Sequence, residues 1–146
     1  MKDKCAKEST TVMNELVLPN DTNTFGNLMG GRLLYWMDIC SAMAAQKHCN
    51  SPVVTVSVDN VSFKRSIRLG EVVTIEAKVT RAFNTSIEVR MEVSAQNLPL
   101  GTKEKSNEAY YTFVAIDEHA KPQPIPKVIP ETELEHRLYD EAMRRR

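Results

Sequence analysis

The hydrophobic pattern of the chain changes its period from helical to alternating near Pro52. Before it, from Gly30 to Ala45, apolar residues recur at the spacings of three and four that mark one face of a helix; they are Leu33, Met37, Cys40 and Ala44. Other apolar side chains fill the positions between them, so we predict a long helix that is buried nearly all round. After Pro52 apolar and polar residues alternate, which predicts β-strands.

The alternating part predicts a sheet of short-linked strands. Strands are predicted at 10–18, 54–59, 71–82, 85–95 and 105–116. In the second of these, Val54, Val56 and Val58 predict one apolar face. Short connections favour antiparallel pairing, and an antiparallel sheet commonly buries only one face. Wrapping it around the helix would bury both, so the predicted fold class is α+β, an antiparallel sheet around one long central helix, the arrangement called a hotdog fold.

The length of 146 residues predicts a single domain. We expect its core at about 10–118, followed by a proline-rich segment and a C-terminal helix within 119–146, with residues 1–9 polar and loose. The final helix is predicted to begin near Pro130 and to lie on the surface or on a neighbouring subunit, since Leu134 and Leu138 form only a thin apolar stripe.

Charge and cysteine usage exclude several classes of function. Lys+Arg 19 and Asp+Glu 19 cancel, so a general affinity for nucleic acid or for membrane surfaces is not expected. The sequence has no apolar run that could span a bilayer and no N-terminal leader pattern, which predicts a cytoplasmic protein. Three cysteines without CxxC spacing and three scattered histidines predict neither a disulfide framework nor a metal site.

Two features of the helix region carry candidate chemistry. Gly26, Gly30 and Gly31 fall within six positions, so the backbone amides at the helix N-terminus can be approached closely. Asp38 is a carboxylate in an otherwise apolar helix, where desolvation costs several kcal/mol unless partners are provided. The residues alone leave alternatives open, because the glycines could simply allow tight packing and Asp38 could be held by hydrogen bonds for structure.

Three stretches carry a resemblance to a known family. They are 19–38 (PNDTNTFGNLMGGRLLYWMD), 54–71 (VTVSVDNVSFKRSIRLGE) and 79–89 (VTRAFNTSIEV). They resemble the hotdog-fold acyl-CoA thioesterases, and the likeness runs from about Met13 through the terminal helix. Its most specific parts are the GG-x6-D spacing and the preceding DTN, whereas Ser66 stands where many members have proline.

The resemblance implies hydrolysis of acyl-CoA to a carboxylic acid and CoA. Gly30 and Gly31 would donate amides to the developing oxyanion, and Asp38 would act as general base or as nucleophile. Asn23 would help to hold the water or the thioester, although an asparagine there is equally suited to a turn. Asp38 lies about 12 Å along the helix from the glycines, at 1.5 Å per residue, so we expect the site to be shared between two antiparallel helices of a homodimer. Family members suggest further assembly as a trimer of dimers.

The family resemblance also implies where CoA would bind. Its nucleotide end would lie along strand edges, with a basic residue near the final helix and further cations on the phosphates. The residues matched or suggested are Val56, Ser57, Val58, Thr85, Ser86, Ile87, Arg144, Lys64, Arg65, Arg68 and Arg81. The basic residues could equally form a solvated face. No cofactor is expected, because CoA is part of the substrate.

Two alternatives remain open on the sequence. A hotdog dehydratase normally uses a catalytic histidine, but no histidine precedes His48 at the end of the helix. A non-enzymatic acyl-CoA sensor would keep the CoA surface and could dispense with Asp38, so the presence of that carboxylate favours the enzyme.

Overall fold

The computed structural model describes residues 1–59, 61 and 64–146. Over these residues there are two α-helices, α1 at Gly30–Cys49 and α2 at Glu133–Arg145. The strands are β1 Lys4–Cys5, β2 Thr11–Leu16, β3 Val53–Asp59, β4 Val72–Ala82, β5 Ser86–Asn97, β6 Thr102–Ala115 and β7 Val128–Ile129. The long strands agree with the alternating stretches of the sequence to within a few residues.

The main sheet is antiparallel and has the strand order β2-β4-β5-β6-β3. Helix α1 packs on one of its faces, mainly against β4 and β5. Their inward side chains, with those of α1, form the core. The predicted α+β hotdog arrangement is confirmed.

Helix α1 is buried on one side only. Leu33, Met37, Cys40 and Ala44 are buried, as their spacing predicts. Tyr35, however, is 58% exposed and Met43 is 39% exposed, so the prediction of burial nearly all round is wrong for a single chain. A sheet that curves around one side of a helix leaves the opposite side uncovered, and here that uncovered side is partly apolar.

Strand β3 lies at an edge of the sheet and pairs only with β6 among the described strands. A bulge at Val56 shifts its register between Thr55 and Ser57. Because one extra residue moves the following side chains to the other face, Val54 and Val58 do not share a face, and the predicted single apolar face is wrong. Val54, Val56 and Val58 are each more than 40% exposed.

The N-terminal segment is ordered rather than loose, contrary to the prediction. Strand β1 pairs in parallel with β7, and a short 3-10 turn follows at Ala6–Ser9. Ala6 and Ser9 are buried, and the Ser9 hydroxyl accepts a hydrogen bond from the Val79 amide at 2.9 Å. The polar composition of residues 1–9 does not reveal that two small residues fit against β4.

Helix α2 packs against β4 and begins three residues after Pro130, where its start was predicted. Thr132 is its N-cap and accepts from the Glu135 amide at 3.0 Å in a capping box. Two apolar residues of the helix, Leu138 and Ala142, are buried. Neither helix within the described residues is apolar over a length sufficient to cross a bilayer.

Candidate active site

The loop before α1 is fastened to the helix by Asp21. Its Oδ2 accepts from the Leu18 amide at 2.9 Å, and its Oδ1 lies 3.3 Å from Nε of Arg32 in the first turn of α1. Its backbone carbonyl accepts from the Met29 amide at 3.0 Å. One buried residue therefore fixes both ends of the loop relative to the N-terminus of the helix.

Asn23 holds the turn within this loop. Its Oδ1 accepts hydrogen bonds from the amides of Phe25 at 3.0 Å and Asn27 at 3.2 Å. This is the Asx-turn role that short amide side chains play in loops. The carboxamide nitrogen of Asn23 donates to no residue that the structure describes, and the exposed side chain borders a cleft.

The N-terminus of α1 is open. Met29 is its N-cap and contributes no side-chain hydrogen bond. Within the described residues the amides of Gly30 and Gly31 have no acceptor, as expected for the first amides of a helix. Both glycines are exposed, and a Cβ built on Gly31 would meet no atom within 4 Å. These two N–H donors and the positive end of the helix dipole therefore face free space.

A cleft of about 440 Å³ lies beside this terminus. Its apolar wall contains Leu28, Leu33 and Ile67, and Gly30 borders it. The polar part of the wall contains Asn23, Lys64 and Arg65. An apolar group attached to a polar, anionic molecule could therefore enter it at the end where the helix amides are open.

Asp38 lies in the middle of α1 and is half-buried. Its Oδ1 accepts a hydrogen bond from the hydroxyl of Thr55 at 2.8 Å, which links the helix to edge strand β3. Tyr111 is buried close by, and its burial together with the negative charge of Asp38 raises the pKa of the phenol to about 12. The second carboxylate oxygen of Asp38 accepts from none of the residues that the structure describes.

One chain does not bring the carboxylate and the glycine amides together. Asp38 follows Gly30 by eight positions, which is about 12 Å along the helix axis. Gly31, Tyr35 and Asp38 nevertheless succeed one another at helical spacing on the side of α1 that the sheet leaves uncovered. The two groups therefore occupy one surface but not one site.

Among the predicted CoA-binding residues, Lys64 and Arg65 lie at the cleft with Asn23 and Gly30. Arg65 also forms ion pairs, at 3.0 Å with Glu71 and at 2.9 Å with Glu104. The segment Val56-Ser57-Val58 lies on the exposed edge strand β3.

The other predicted CoA-binding residues lie near α2 or lead into β5. Nη1 of Arg81 donates to the Tyr139 carbonyl at 3.1 Å, and its guanidinium lies 4.0 Å from the centre of the Tyr139 ring. Thr85 and Ser86 are half-buried, whereas the Ile87 side chain is fully buried, so only its backbone could contact a ligand. Arg144 is exposed in the last turn of α2.

Thr55 is the residue of this site that sequence reasoning missed. The alternation of β3 placed it on the polar side of the strand, and its partner Asp38 is 17 residues away along the chain. Only the pairing of Thr55 opposite the core residue Phe113 shows that it faces α1. No local pattern in the sequence indicates that Thr55 pairs with Phe113.

The chain is similar in sequence and in structure to known proteins of one family. Residues 25–102 match the family model described as the thioesterase superfamily. The chain belongs to this superfamily. The resemblance noted in the sequence is thus confirmed, as is the prediction of an enzyme of the thioester hydrolase class.

The similarity to individual relatives extends over nearly the whole chain. The chain is 38% identical, over 95% of its length and 81% of the relative's, to an uncharacterized acyl-CoA thioester hydrolase of Bacillus subtilis. The crystal structure of an apo-hexameric acyl-CoA thioesterase superimposes with a TM-score of 0.96 at 42% identity, covering 99% of this chain and 93% of that one.

A third relative is an acyl-CoA hydrolase of Staphylococcus aureus. Its structure in complex with butyryl coenzyme A and coenzyme A has a TM-score of 0.91 at 33% identity, covering 99% of this chain and 88% of that one. Further structures of the same enzyme are variants in which one aspartate, one asparagine or one threonine is replaced by alanine.

Proposed function

We propose that this protein is an acyl-CoA thioesterase that hydrolyses acyl-CoA to a free carboxylic acid and CoA, in a site shared by two subunits. The observation that carries the proposal is the placement of two complementary groups on the uncovered side of α1. Asp38 is oriented by Thr55 at 2.8 Å, and the amides of Gly30 and Gly31, which have no acceptor among the described residues, form the open helix end. Thioester hydrolysis needs both kinds of group at one carbonyl carbon.

The reaction follows from these groups. Asp38 takes a proton from water, and the oxygen of that water attacks the thioester carbon. Negative charge then builds on the carbonyl oxygen, where the amides of Gly30 and Gly31 stabilise it. The C–S bond breaks, the sulfur leaves as the thiol of CoA after gaining a proton, and the carboxylic acid remains. Direct attack by Asp38 would instead form an anhydride that water then hydrolyses.

A second copy of the chain supplies the missing half of each site. Two α1 helices packed antiparallel through their uncovered sides would place each Asp38 beside the other's glycines. Such a contact would also cover the exposed side chains of Tyr35 and Met43. A homodimer is the minimum active unit, and we propose a trimer of dimers because hexameric thioesterases are among the similar structures.

The substituted residues of the Staphylococcus aureus enzyme support roles for Asn23 and Thr55. The asparagine, aspartate and threonine replaced there have the same spacings along their chain as Asn23, Asp38 and Thr55 have here. We propose that Asn23 uses its free carboxamide nitrogen to hold the water or the thioester, while Thr55 orients the carboxylate. The Asx turn that its oxygen makes does not engage that nitrogen.

The CoA moiety is proposed to extend from the cleft over basic residues and open strand edges. Lys64 and Arg65 at the cleft would pair with phosphates. The remaining contacts would come from Val56, Ser57, Val58, Arg81, Thr85, Ser86, Ile87 and Arg144. No cofactor is proposed, since water and these side chains account for every step.

The first test is thiol release from a panel of short, medium and long acyl-CoAs by wild type and by Asp38→Asn. We expect wild type to hydrolyse some member and the near-isosteric variant to lose about a hundredfold or more while remaining folded, because acid–base groups typically contribute 10²–10⁴. A wild-type protein that binds CoA but releases no thiol would contradict the proposal and point to an acyl-CoA sensor. An equally active variant would remove Asp38 from the mechanism.

The second test asks whether the site is shared. Asp38→Asn and Gly30→Pro, which removes one amide donor at the first position of α1, where proline is tolerated, are each expected to be inactive alone. Unfolding and refolding them together would form mixed dimers in which one of the two sites is intact. About a quarter of wild-type activity should return. Mixtures that stay inactive would rule out a site built from two subunits.

A further inference from the structure

A buried amide without a full set of partners lies inside the sheet at Asn107 on β6. Asn107 has no exposed surface, and its Oδ1 accepts no hydrogen bond from the described residues. Among the residues that the structure describes, its Nδ2 donates only to the sulfur of Met37, at 3.8 Å. The adjacent Ser106 is equally buried, and its hydroxyl likewise has no partner within the described part of the chain.

The backbone is shaped to turn these two polar side chains inward. Along β6, Lys105 pairs with Ser94 of β5 and Asn107 pairs with Val93, so Ser106 is an extra residue in a bulge. Bulges commonly re-aim side chains next to active sites. Buried polar atoms without partners cost stability and are uncommon in folded proteins, so a pair of them calls for a functional explanation.

Two connections place this pair directly behind the cleft. Met37, which touches Asn107, follows the cleft residue Leu33 by one helical turn on the same face of α1. The carbonyl of Ser106 accepts a hydrogen bond at 3.1 Å from the amide of Lys64, another cleft residue. The polar pair therefore lies beyond the apolar wall of the cleft, about 6 Å further along the helix than Leu33.

We propose that the amide of Asn107 forms a polar inner end to the acyl pocket and restricts this enzyme to short acyl chains. The inference rests on the proposed thioesterase function, in which the cleft beside Gly30 receives the acyl group. A short chain would lie against Leu28, Leu33 and Ile67. A longer chain would have to displace Met37, whose flexible side chain can move, and would then place methylene groups against an amide that they cannot satisfy.

The test is the chain-length profile of Asn107→Leu, which replaces the amide by an apolar group of similar size. Thiol release is measured on straight-chain acyl-CoAs from acetyl to palmitoyl, and kcat/KM is compared between octanoyl-CoA and butyryl-CoA. Wild type should prefer the shorter substrate, and the variant should raise the octanoyl-to-butyryl ratio by about tenfold, the scale on which apolar pockets discriminate methylene groups. Asn107→Ala, which also removes the amide, should shift the ratio in the same direction and serves if the leucine variant misfolds.

Thr80→Val is the matched control. Thr80 is also a buried polar residue of the sheet, but its hydroxyl is hydrogen-bonded to the carboxylate of Glu88 and it lies outside the cleft. We expect Thr80→Val to lower the Tm and to leave the chain-length profile unchanged. Asn107→Leu should keep or raise the Tm, because it removes an unsatisfied polar group.

The outcomes separate the two proposals. Hydrolysis with an unchanged octanoyl-to-butyryl ratio in both Asn107 variants would overturn the role of Asn107 and leave the thioesterase function intact. A wild-type preference for long acyl chains would also overturn the role of Asn107 without affecting the thioesterase function. A wild type that releases no thiol from any substrate would overturn the proposed function, and the inference with it.

Discussion

The hydroxyl of Thr55 on edge strand β3 donates a 2.8 Å hydrogen bond to the carboxylate of Asp38 on α1. This bond is the direct link between the strand that a neighbouring chain can reach and the residue proposed to activate water. Because β3 is exposed along its length, the orientation of Asp38 depends on an element at the surface of the subunit rather than on the core.

Replacing Thr55 with valine should therefore lower kcat more than it changes KM. Valine keeps the shape of threonine but removes the hydrogen bond, and bonds to charged groups contribute about 1.5–3 kcal/mol, equivalent to roughly tenfold to hundredfold in rate. Thiol release from the best acyl-CoA measures the effect. Thr55→Ser retains the hydroxyl, so its kcat should stay within a fewfold of the wild-type value. If kcat falls as much in Thr55→Ser as in Thr55→Val, loss of the hydrogen bond is not the cause.

Acid stability should depend on Glu71, which lies beneath the loop that borders the cleft. Burial alone would raise its pKa, but hydrogen bonds from the Arg65 side chain and the Arg68 amide, with the charges of both arginines, hold the pKa below its ordinary value. A carboxylate with a lowered pKa stabilises the fold above the pKa of the unfolded chain, and this contribution disappears as pH falls through the folded value.

Glu71→Gln should thus destabilise the protein by about 2 kcal/mol at pH 7, and the difference from wild type should shrink below about pH 4. Urea unfolding at several pH values checks this. Glu104→Gln is a suitable control, because Glu104 is largely exposed although it also contacts Arg65. If the difference in unfolding free energy between wild type and Glu71→Gln is constant from pH 7 to pH 3, the lowered pKa of Glu71 is not its cause.

The attachment of α2 to the sheet should depend on Arg145. Its guanidinium donates to both oxygens of the buried Glu88 and lies 3.8 Å from the centre of the Tyr110 ring. Lysine preserves the charge but not the two-pronged contact or the stacking, so Arg145→Lys should cost about 1–2 kcal/mol in unfolding free energy. Arg137→Lys, at an exposed ion pair with Glu141, should cost less than about 0.5 kcal/mol. Equal losses of unfolding free energy in the two variants would show that the two-pronged, stacked contact of Arg145 does not contribute more than an ordinary surface ion pair.

Association should depend on the uncovered side of α1. Tyr35→Glu places a charge on the surface proposed to meet the second copy. It should dissociate the oligomer, which lowers the molecular mass in solution, and it should lower thiol release by tenfold or more at dilute protein. Sedimentation and activity are measured on the same samples. Met143→Glu introduces the same charge at an exposed apolar position of α2 and should change neither. Intact oligomers with Tyr35→Glu would place the interface elsewhere.

Much of the fold follows from periodicity in the sequence. The three-and-four spacing from Leu33 to Ala44 and the alternation in β5 each reflect burial on one face, which any packing of this helix on this sheet requires. The exposure of Tyr35 was not predictable in the same way, because the residue type alone does not distinguish a side chain on the surface of a subunit from one buried in the core. Similarly, the bulge at Val56 leaves no signature in an alternating run of valines.

The candidate site was predictable where chemistry depends on residue type, and not where it depends on tertiary position. Asp38 and the paired glycines stand out because a carboxylate in an apolar helix and a bare helix end are unusual in themselves. Thr55 and Asn107 are ordinary strand residues in the sequence. The register between neighbouring strands gives them their roles. It brings Thr55 to Asp38 and turns Asn107 into the interior.

The pairing of β1 with β7 has a consequence for biosynthesis. Lys4 and Cys5 are made well before their partners, because Val128 and Ile129 emerge from the ribosome some 120 residues later. At about 5–20 residues per second, the N-terminal strand must wait several seconds or more for its partner. Its docking is therefore a late event of folding, and an incomplete chain would expose the surface that β1 covers, where cellular proteases and chaperones could recognise it.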